Sequence, residues 1–191
     1  MIITQKPILS SNPKLKAYFE RFDEELETLF SFIKAYSEDE LNKKPSEKAW
    51  SVVQIMYHLM LSEEGALSYV KKKLTLGRDH IKKAGATSKL RAMVLVSSMK
   101  QPIKLTAPTN ASESIPAYAS VEEIRNQWLN QRNELYSFLT NQPSEVFDYE
   151  CYKHPVTGIM DIWGMLDFFE AHFQRHFKQI HKTAWKVVLV K

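Results

Sequence analysis

The sequence predicts an all-α protein, a four-helix bundle with one long crossover connection between helices 2 and 3. Four long segments repeat apolar residues at three- and four-residue steps, which is the spacing of one helix face. Only 5 glycines and 8 prolines occur in the 191 residues, and this disfavours many short strands joined by tight turns. The length fits a single domain over residues 1–191 with a substantial core.

The first helix is predicted from about Pro13 to Tyr36. Acidic residues separate its apolar positions, so that one face is polar. Ser37 and Glu40 then have the spacing of a capping box, which predicts a short helical turn directly afterwards. The apolar positions that define the first helix are Tyr18, Phe19, Phe22, Leu26, Leu29, Phe30 and Ile33.

The second helix is predicted from Ser51 to about Leu74, with Ser51 and Gln54 as its capping box. Residues 75–119 are expected to be irregular, with a short helix in "KLRAMVLVSSM". The stretch "QPIKLTAPTNASESIPAYAS" has three prolines and many small polar residues, so it is predicted to be the crossover loop. The buried stripe of the second helix comprises Val52, Ile55, Met56, Leu59, Ala66 and Tyr69.

The third and fourth helices follow this loop. Ser120 and Glu123 predict a capping box at the start of the third helix. After a second connector, Asp161 is a good N-cap for the fourth helix, which is predicted to continue to about Val188. The apolar stripe of this last helix comprises Ile162, Met165, Leu166, Phe169, Phe173, Ile180 and Ala184.

Composition and charge disfavour several classes of protein. The net charge of +4 comes from scattered lysines and not from a basic stripe with interleaved aromatic residues, so nucleic-acid binding is not predicted. Cys151 is the only cysteine, which rules out an intramolecular disulfide and favours a reducing compartment. The N-terminal segment lacks the pattern of a secretory signal, and no apolar run reaches transmembrane length. We therefore expect a cytoplasmic protein with no membrane partner.

Three histidines are the candidate metal ligands. His172 and His176 are four residues apart on the apolar stripe of the fourth helix, so they share one face and can chelate a metal. His58 lies beside the buried stripe of the second helix. Three inward histidines suit a site with three protein ligands and one open position. A zincin is excluded because Phe173, and not glutamate, follows the first histidine of the pair.

The alternative is that these histidines are packing residues whose rings form hydrogen bonds in the core. The other histidines are weaker candidates. His181 is expected on the surface and His80 in a solvated loop rich in lysine. His154 is expected to support the site from outside the ligand set or to hydrogen-bond within its loop. A nucleophile pair of Cys151 and His154 is conceivable, but the sequence offers no third residue to orient it.

Three stretches resemble the DinB-like superfamily, which includes bacillithiol S-transferases. They are "WSVVQIMYHL", "HPVTG" followed by "MDIWGMLDFFEAH", and "HFQRHFKQI", and they occur in the expected order. The resemblance covers nearly the whole chain. It implies a four-helix bundle, often dimeric, in which His58, His172 and His176 hold a divalent metal. Thr157 stands where many relatives carry an aromatic or aliphatic residue, which bears on substrate preference.

The resemblance and the histidine pattern together predict a metal-dependent enzyme, with zinc or nickel as the expected ion. It would activate a small thiol or water for thiol S-transfer or hydrolysis on a small-molecule electrophile. A homodimer is expected. The alternative function is a bundle that binds a metal or a small molecule without turnover in a stress response. Glu63 and Glu170 are near the ligands in sequence but not on their helix faces, so neither is assigned a catalytic role.

Overall fold

The computed structural model describes residues 12–101 and 115–189. These residues are predominantly helical, which confirms the predicted all-α class. The described helices are α1 (Pro13–Ile33), α2 (Glu38–Asn42), α3 (Val52–Leu74), α4 (Ala86–Lys100), α5 (Val121–Thr140) and α6 (Ile162–Leu189). Two short antiparallel strands, β1 (Tyr152–His154) and β2 (Gly158–Met160), form a hairpin, and there are 3₁₀ turns at Arg78–His80 and Ser144–Asp148.

The helix starts follow the predicted caps, with one exception. Ser37 and Ser51 both form complete capping boxes at α2 and α3. Ser120 makes no side-chain cap at α5, so the box predicted there is wrong. Instead, the Glu38 carboxylate of α2 accepts a hydrogen bond from the Val121 N–H at 2.9 Å. A donor at the start of α5 is therefore satisfied by a neighbouring helix and not by the local sequence.

The four predicted long helices are present and pack against one another. α1 and α3 each contact both α5 and α6. α1 ends at Ile33, three residues before the predicted end at Tyr36. At the start of α6, the Asp161 carboxylate accepts a hydrogen bond from the Gly164 N–H at 2.7 Å, as expected of an N-cap. Within the described ranges, no helix is long and apolar enough to span a bilayer.

α4 is longer and more important than the sequence indicated. It occupies fifteen residues of a region that was expected to be irregular apart from a short helix. α4 packs closely on α6, since a Cβ added at Gly164 would lie 2.8 Å from the Cβ of Ala92. Its apolar residues do not form one stripe, because Leu90, Met93 and Val94 are exposed on the far side. Most of the predicted crossover, residues 102–114, lies outside the described residues.

Candidate metal centre

His58 is held near the start of α3 by the apolar residues around it. Its neighbours Ile55 and Leu59 are fully buried in the core, and the His58 side chain is only 7% exposed. The half-buried indole of Trp50 lies beside it, with 5.0 Å between the two ring centroids. The capping box at Ser51 fixes the first turn of α3 and therefore the direction in which His58 points.

His172 and His176 are one turn apart on α6, and both side chains project from the same face. Their ring centroids are 4.6 Å apart and the rings are nearly perpendicular, at 85°. Phe168, one turn earlier, stacks on His172 with 4.8 Å between centroids and 19° between planes. His172 is 7% exposed, whereas His176 is partly exposed. The pair therefore has one buried member and one that solvent or a ligand can reach.

α3 and α6 bring the three histidines together. Nε2 of His58 lies 3.2 Å from Nε2 of His172, and one nitrogen from each of the three rings lies within 4.8 Å of the others. Two imidazoles on one tetrahedral ion, each bonded at about 2.0–2.1 Å, have nitrogens about 3.3 Å apart. The spacing and the all-nitrogen donor set therefore fit a divalent transition metal such as zinc or nickel.

Gln179 defines which nitrogen of His176 can bind a metal. Nδ1 of His176 lies 2.8 Å from the side-chain carbonyl oxygen of Gln179. An amide oxygen only accepts hydrogen bonds, so the hydrogen of the neutral ring is on Nδ1 and the free lone pair is on Nε2. Metal-binding histidines usually have such a partner on the second nitrogen. Gln179 was not singled out from the sequence, although its position three residues after a proposed ligand could have identified it.

Burial keeps the three imidazoles neutral. It lowers the pKa of His58 and of His176 to about 4, and it lowers the pKa of His172 well below its ordinary value. Mutual repulsion and the nearby Arg175 guanidinium lower the pKa of His172 further, as does His154. All of these neighbours are cationic when charged. At neutral pH the cluster therefore offers three lone pairs, and a metal would not have to displace protons.

Arg175 connects the ligand-bearing helix to α4. Its Nη1 donates hydrogen bonds to the backbone oxygens of Gln101 at 2.9 Å, Met99 at 3.3 Å and Ser98 at 3.5 Å. These carbonyls lie at the C-terminal end of α4, where helix carbonyls lack partners within the helix. Since His176 is the next residue along α6, the same helix turn carries a proposed ligand and the contact that positions α4. No sequence pattern indicates this contact, because it depends on α4, a helix with no clear apolar stripe.

His154 lies outside the cluster and caps its own hairpin turn, as one of the two sequence interpretations expected. Its Nδ1 accepts hydrogen bonds from the Val156 N–H at 3.2 Å and the Thr157 N–H at 3.4 Å. Cys151 is fully buried, and its thiol donates to the Val146 carbonyl at 3.8 Å. Burial raises the pKa of this thiol to about 11, so it is protonated at neutral pH and is a poor nucleophile. The structure therefore gives no support to a pair of Cys151 and His154.

The remaining histidines are on the surface, as expected. His80 is exposed in the 3₁₀ turn. His181 is also exposed, but its ring packs on Phe32 of α1 and Phe177 of α6, with centroid separations of 3.8 and 4.6 Å. Neither residue belongs to the group of three that can hold a metal.

The two acids near the ligands in sequence have other partners. Glu63 is buried, and both of its oxygens accept hydrogen bonds from the Arg132 guanidinium, at 2.7 and 3.0 Å. Glu170 forms a similar two-point contact with Arg21 of α1, at 3.1 and 3.2 Å. These contacts hold helices together. Because both acids are paired with arginines, neither is assigned a catalytic role.

The fold is helical, and two of its helices bring three histidine nitrogens together. The protein is therefore a helical protein with a candidate three-histidine metal centre. The chain belongs to the DinB superfamily, whose family model matches residues 21–180, a span that includes all three histidines. The uncharacterized protein YuaE of Bacillus subtilis (strain 168) is 22% identical over 155 residues, covering 81% of this chain and 90% of that protein. The family recognised from the sequence motifs is thereby confirmed.

Proposed function

We propose that the protein binds a divalent metal ion, zinc or nickel, through His58, His172 and His176. The observation that carries this proposal is the approach of the three ring nitrogens to within 4.8 Å of one another. Burial supports it as well, since it keeps the rings neutral and able to donate lone pairs. Three protein ligands leave a tetrahedral ion one position for an exogenous ligand.

The proposal includes a four-helix bundle as the scaffold of the centre. It would consist of α1, α3, α5 and α6, with the long crossover between α3 and α5. The packing of α1 and α3 on both α5 and α6 supports this arrangement. Bundles of this kind build metal sites from side chains on facing helices, as α3 and α6 would do here.

The reaction that fits this centre best is attack by a small thiol or water on a small-molecule electrophile, giving thiol S-transfer or hydrolysis. A bound divalent ion lowers the pKa of a thiol or a water molecule, which supplies a nucleophile at neutral pH. The three ligand rings are neutral and the nearby Arg175 is cationic, so the site favours an anionic ligand. Partly exposed His176 gives access, while Trp50 and Phe168 provide apolar surfaces beside His58 and His172.

A second candidate function is metal or small-molecule binding without turnover. The partners of Glu63 and Glu170 favour it, because the two acids closest to the ligands in sequence are committed to Arg132 and Arg21. A hydrolase of this type usually has a general base within hydrogen-bond reach of the attacking water. Thiol transfer is less affected by this observation, since a metal-stabilised thiolate can attack without a separate base.

The first test is the metal content of protein purified without an affinity tag or chelator, followed by melting with added zinc or nickel. The wild type should bind about one ion per chain, and its Tm should rise because the ion binds only the folded state. His176→Ala should lose most of this binding and the rise in Tm. His181→Ala, which removes an exposed histidine from the same helix, should keep the metal binding of the wild type and the rise in Tm on adding metal.

The second test separates the two candidate functions. Thiol transfer to a model electrophile, and hydrolysis of model esters and amides, should increase in proportion to metal occupancy in the wild type. If the metal binds and stabilises the protein but neither reaction exceeds that of the metal-free protein, the binding function replaces the enzyme. If the wild type and His176→Ala melt alike with and without metal, the histidines are packing residues and both candidates fail.

A further inference from the structure

The β1–β2 hairpin holds a buried histidine outside the three-histidine cluster, in a fixed protonation state. His154 is 8% exposed, and its Nδ1 accepts two backbone N–H bonds, from Val156 and Thr157. A neutral imidazole has one acceptor nitrogen and one donor nitrogen. Because Nδ1 is the acceptor, the hydrogen must be on Nε2. The His154 ring is therefore a hydrogen-bond donor in a defined orientation.

The hairpin packs on both helices that carry the histidine cluster. β1 contacts α3, the helix of His58. Tyr152 and His154 form the inward face of β1, and both rings pack on Phe168 of α6, with centroid separations of 6.3 and 4.8 Å. Phe168 in turn stacks on His172 at 4.8 Å. His154 is therefore separated from a proposed metal ligand by a single aromatic ring.

The polar groups of this turn are not all used within the described part of the chain. The His154 ring makes two hydrogen bonds there, and Nδ1 accepts both of them. Its Nε2 makes none with the described residues. The Thr157 hydroxyl is buried and also has no hydrogen-bond partner among the described residues. Keeping buried polar groups without partners is unfavourable. The Thr157 hydroxyl is such a group, and Nε2–H of His154 is an unused donor in the same turn, so both are available to a ligand.

We propose that Nε2–H of His154 donates a hydrogen bond to the molecule bound at the three-histidine centre, so that His154 is a positioning residue for ligands carrying an acceptor group. The preferred ligand class is then a small thiol with a carboxylate or similar acceptor near its sulfur. This inference rests on the proposed function. It adds a specificity-determining residue that is not itself a metal ligand.

Asparagine can separate this role from the capping of the turn. An asparagine side chain accepts N–H bonds from residues two and three positions later, as Nδ1 of His154 does here. His154→Asn therefore keeps the cap and removes the donor nitrogen at the far side of the ring. His154→Ala removes both. Comparing the Tm values of the two variants with the wild type shows whether asparagine has preserved the turn.

The experiment uses cobalt(II)-loaded protein, titrated without oxygen with mercaptoacetate and, separately, with ethanethiol. Both probes bind through sulfur, but only mercaptoacetate carries a carboxylate acceptor. The visible spectrum of cobalt reports thiolate binding and gives each Kd. In His154→Asn, the Kd for mercaptoacetate should rise at least about tenfold, as expected for loss of one hydrogen bond to a charged acceptor. The Kd for ethanethiol should change less than about twofold.

The possible failures are distinguishable. If the wild type binds no cobalt, the proposed metal site fails, and the role of His154 fails with it. If cobalt binds but mercaptoacetate has the same Kd in wild type and in His154→Asn, the site stands and the inference is overturned. If His154→Asn does not fold, the wild type alone tests the inference. Equal Kd values of the wild type for mercaptoacetate and ethanethiol would contradict a role of His154 in selecting ligands with an acceptor group.

Discussion

Nε2 of His58 and Nε2 of His172 face each other at 3.2 Å, although 114 positions separate the residues along the chain. A hydrogen bond between the two rings would explain this distance if one of the two nitrogens were protonated. A metal ion bound by both rings would explain the same distance with both nitrogens deprotonated. Only the second arrangement also uses Nε2 of His176, whose proton is held on Nδ1 by Gln179. The position of the third ring therefore favours a metal over a pair of packed imidazoles.

Replacing Gln179 with alanine should weaken metal binding without removing a ligand. The variant frees Nδ1 of His176, so the ring loses its fixed orientation and its defined tautomer. Loss of such a partner typically lowers metal affinity by about 10–100-fold. The dissociation constant can be measured by competition with a chromophoric chelator. Gln174→Ala, on an exposed position of the same helix, is the matched control and should bind metal like the wild type. Equal affinities for the two variants would contradict the role of Gln179.

Metal occupancy should be maintained in mild acid. Histidines with an ordinary pKa of about 6.5 would lose a metal to protons between about pH 7 and 5. Here burial lowers the pKa of His58 and His176 to about 4, so protons compete only below about pH 5. Elemental analysis after dialysis at stepped pH measures this, with far-UV circular dichroism to confirm folding. Half-loss of metal near pH 6 from a folded protein would show that the rings are not held neutral.

Acid should nevertheless destabilise the metal-free protein. Unfolded histidines take up protons below about pH 6.5, whereas the folded chain holds His58, with its lowered pKa, neutral down to about pH 4. The unfolded state therefore binds more protons in this window, and the free energy of unfolding falls as the pH is lowered through it. Urea titrations of metal-free protein at pH 7 and pH 5 should show the decrease, and His58→Gln should reduce it. A free energy of unfolding equal at both pH values would contradict this.

The sequence predicts those parts of the molecule that depend on local periodicity. His58, His172 and His176 could be recognised because each lies on or beside an apolar helix stripe. α4 was underestimated because Leu90, Met93 and Val94 leave it without one polar face. Its length is explained by packing on α6, a contact between distant residues. The predicted cap at Ser120 failed for a similar reason, since Glu38 of another helix satisfies the start of α5.

Breaking the buried pair of Glu63 and Arg132 should greatly reduce stability. The Arg132 guanidinium also donates to the Phe22 carbonyl, and the Trp128 indole donates to Glu63 at 3.0 Å. Arg132→Met leaves the Glu63 carboxylate buried without a counter-charge, which typically costs about 3–5 kcal/mol. Urea titration measures the change in the free energy of unfolding.

The double variant Glu63→Gln, Arg132→Met is the control for this prediction, because it removes the buried charge together with its partner. It should recover part of the lost stability. Glu63→Gln alone should still bind metal under conditions in which it is folded, since Glu63 contacts Trp128 and Arg132. Loss of metal from a folded Glu63→Gln protein would instead connect this acid to the centre.

Glu25 of α1 is a buried acid without a matching partner. Neither of its carboxyl oxygens is exposed, and neither has a hydrogen-bond partner within the described residues. Burial raises the pKa of Glu25 to about 8, the nearby Arg132 and Arg21 lower it, and Glu170 and Glu63 raise it. Arg132 and Arg21 already pair with Glu63 and Glu170, so one carboxyl remains in excess. Glu25 is therefore expected to be protonated in the folded protein at neutral pH.

Glu25→Gln should stabilise the protein, and increasingly so as the pH rises from about 5 to 8. In the wild type, the unfolded chain releases the Glu25 proton near its usual pKa of about 4.3, whereas the folded chain retains it up to about pH 8. The folded state binds more protons in this range, so its stability falls with rising pH, and glutamine removes this effect. We expect a stabilisation of at least about 1 kcal/mol at pH 8, which is a rise in Tm of roughly 2–4 °C for a chain of this length.

Glu24→Gln, at the exposed neighbouring position, is the control and should change Tm little at any pH. If the Tm of Glu25→Gln equals that of the wild type at every pH from 5 to 8, the prediction is wrong. Glu25 would then be ionised in the folded protein.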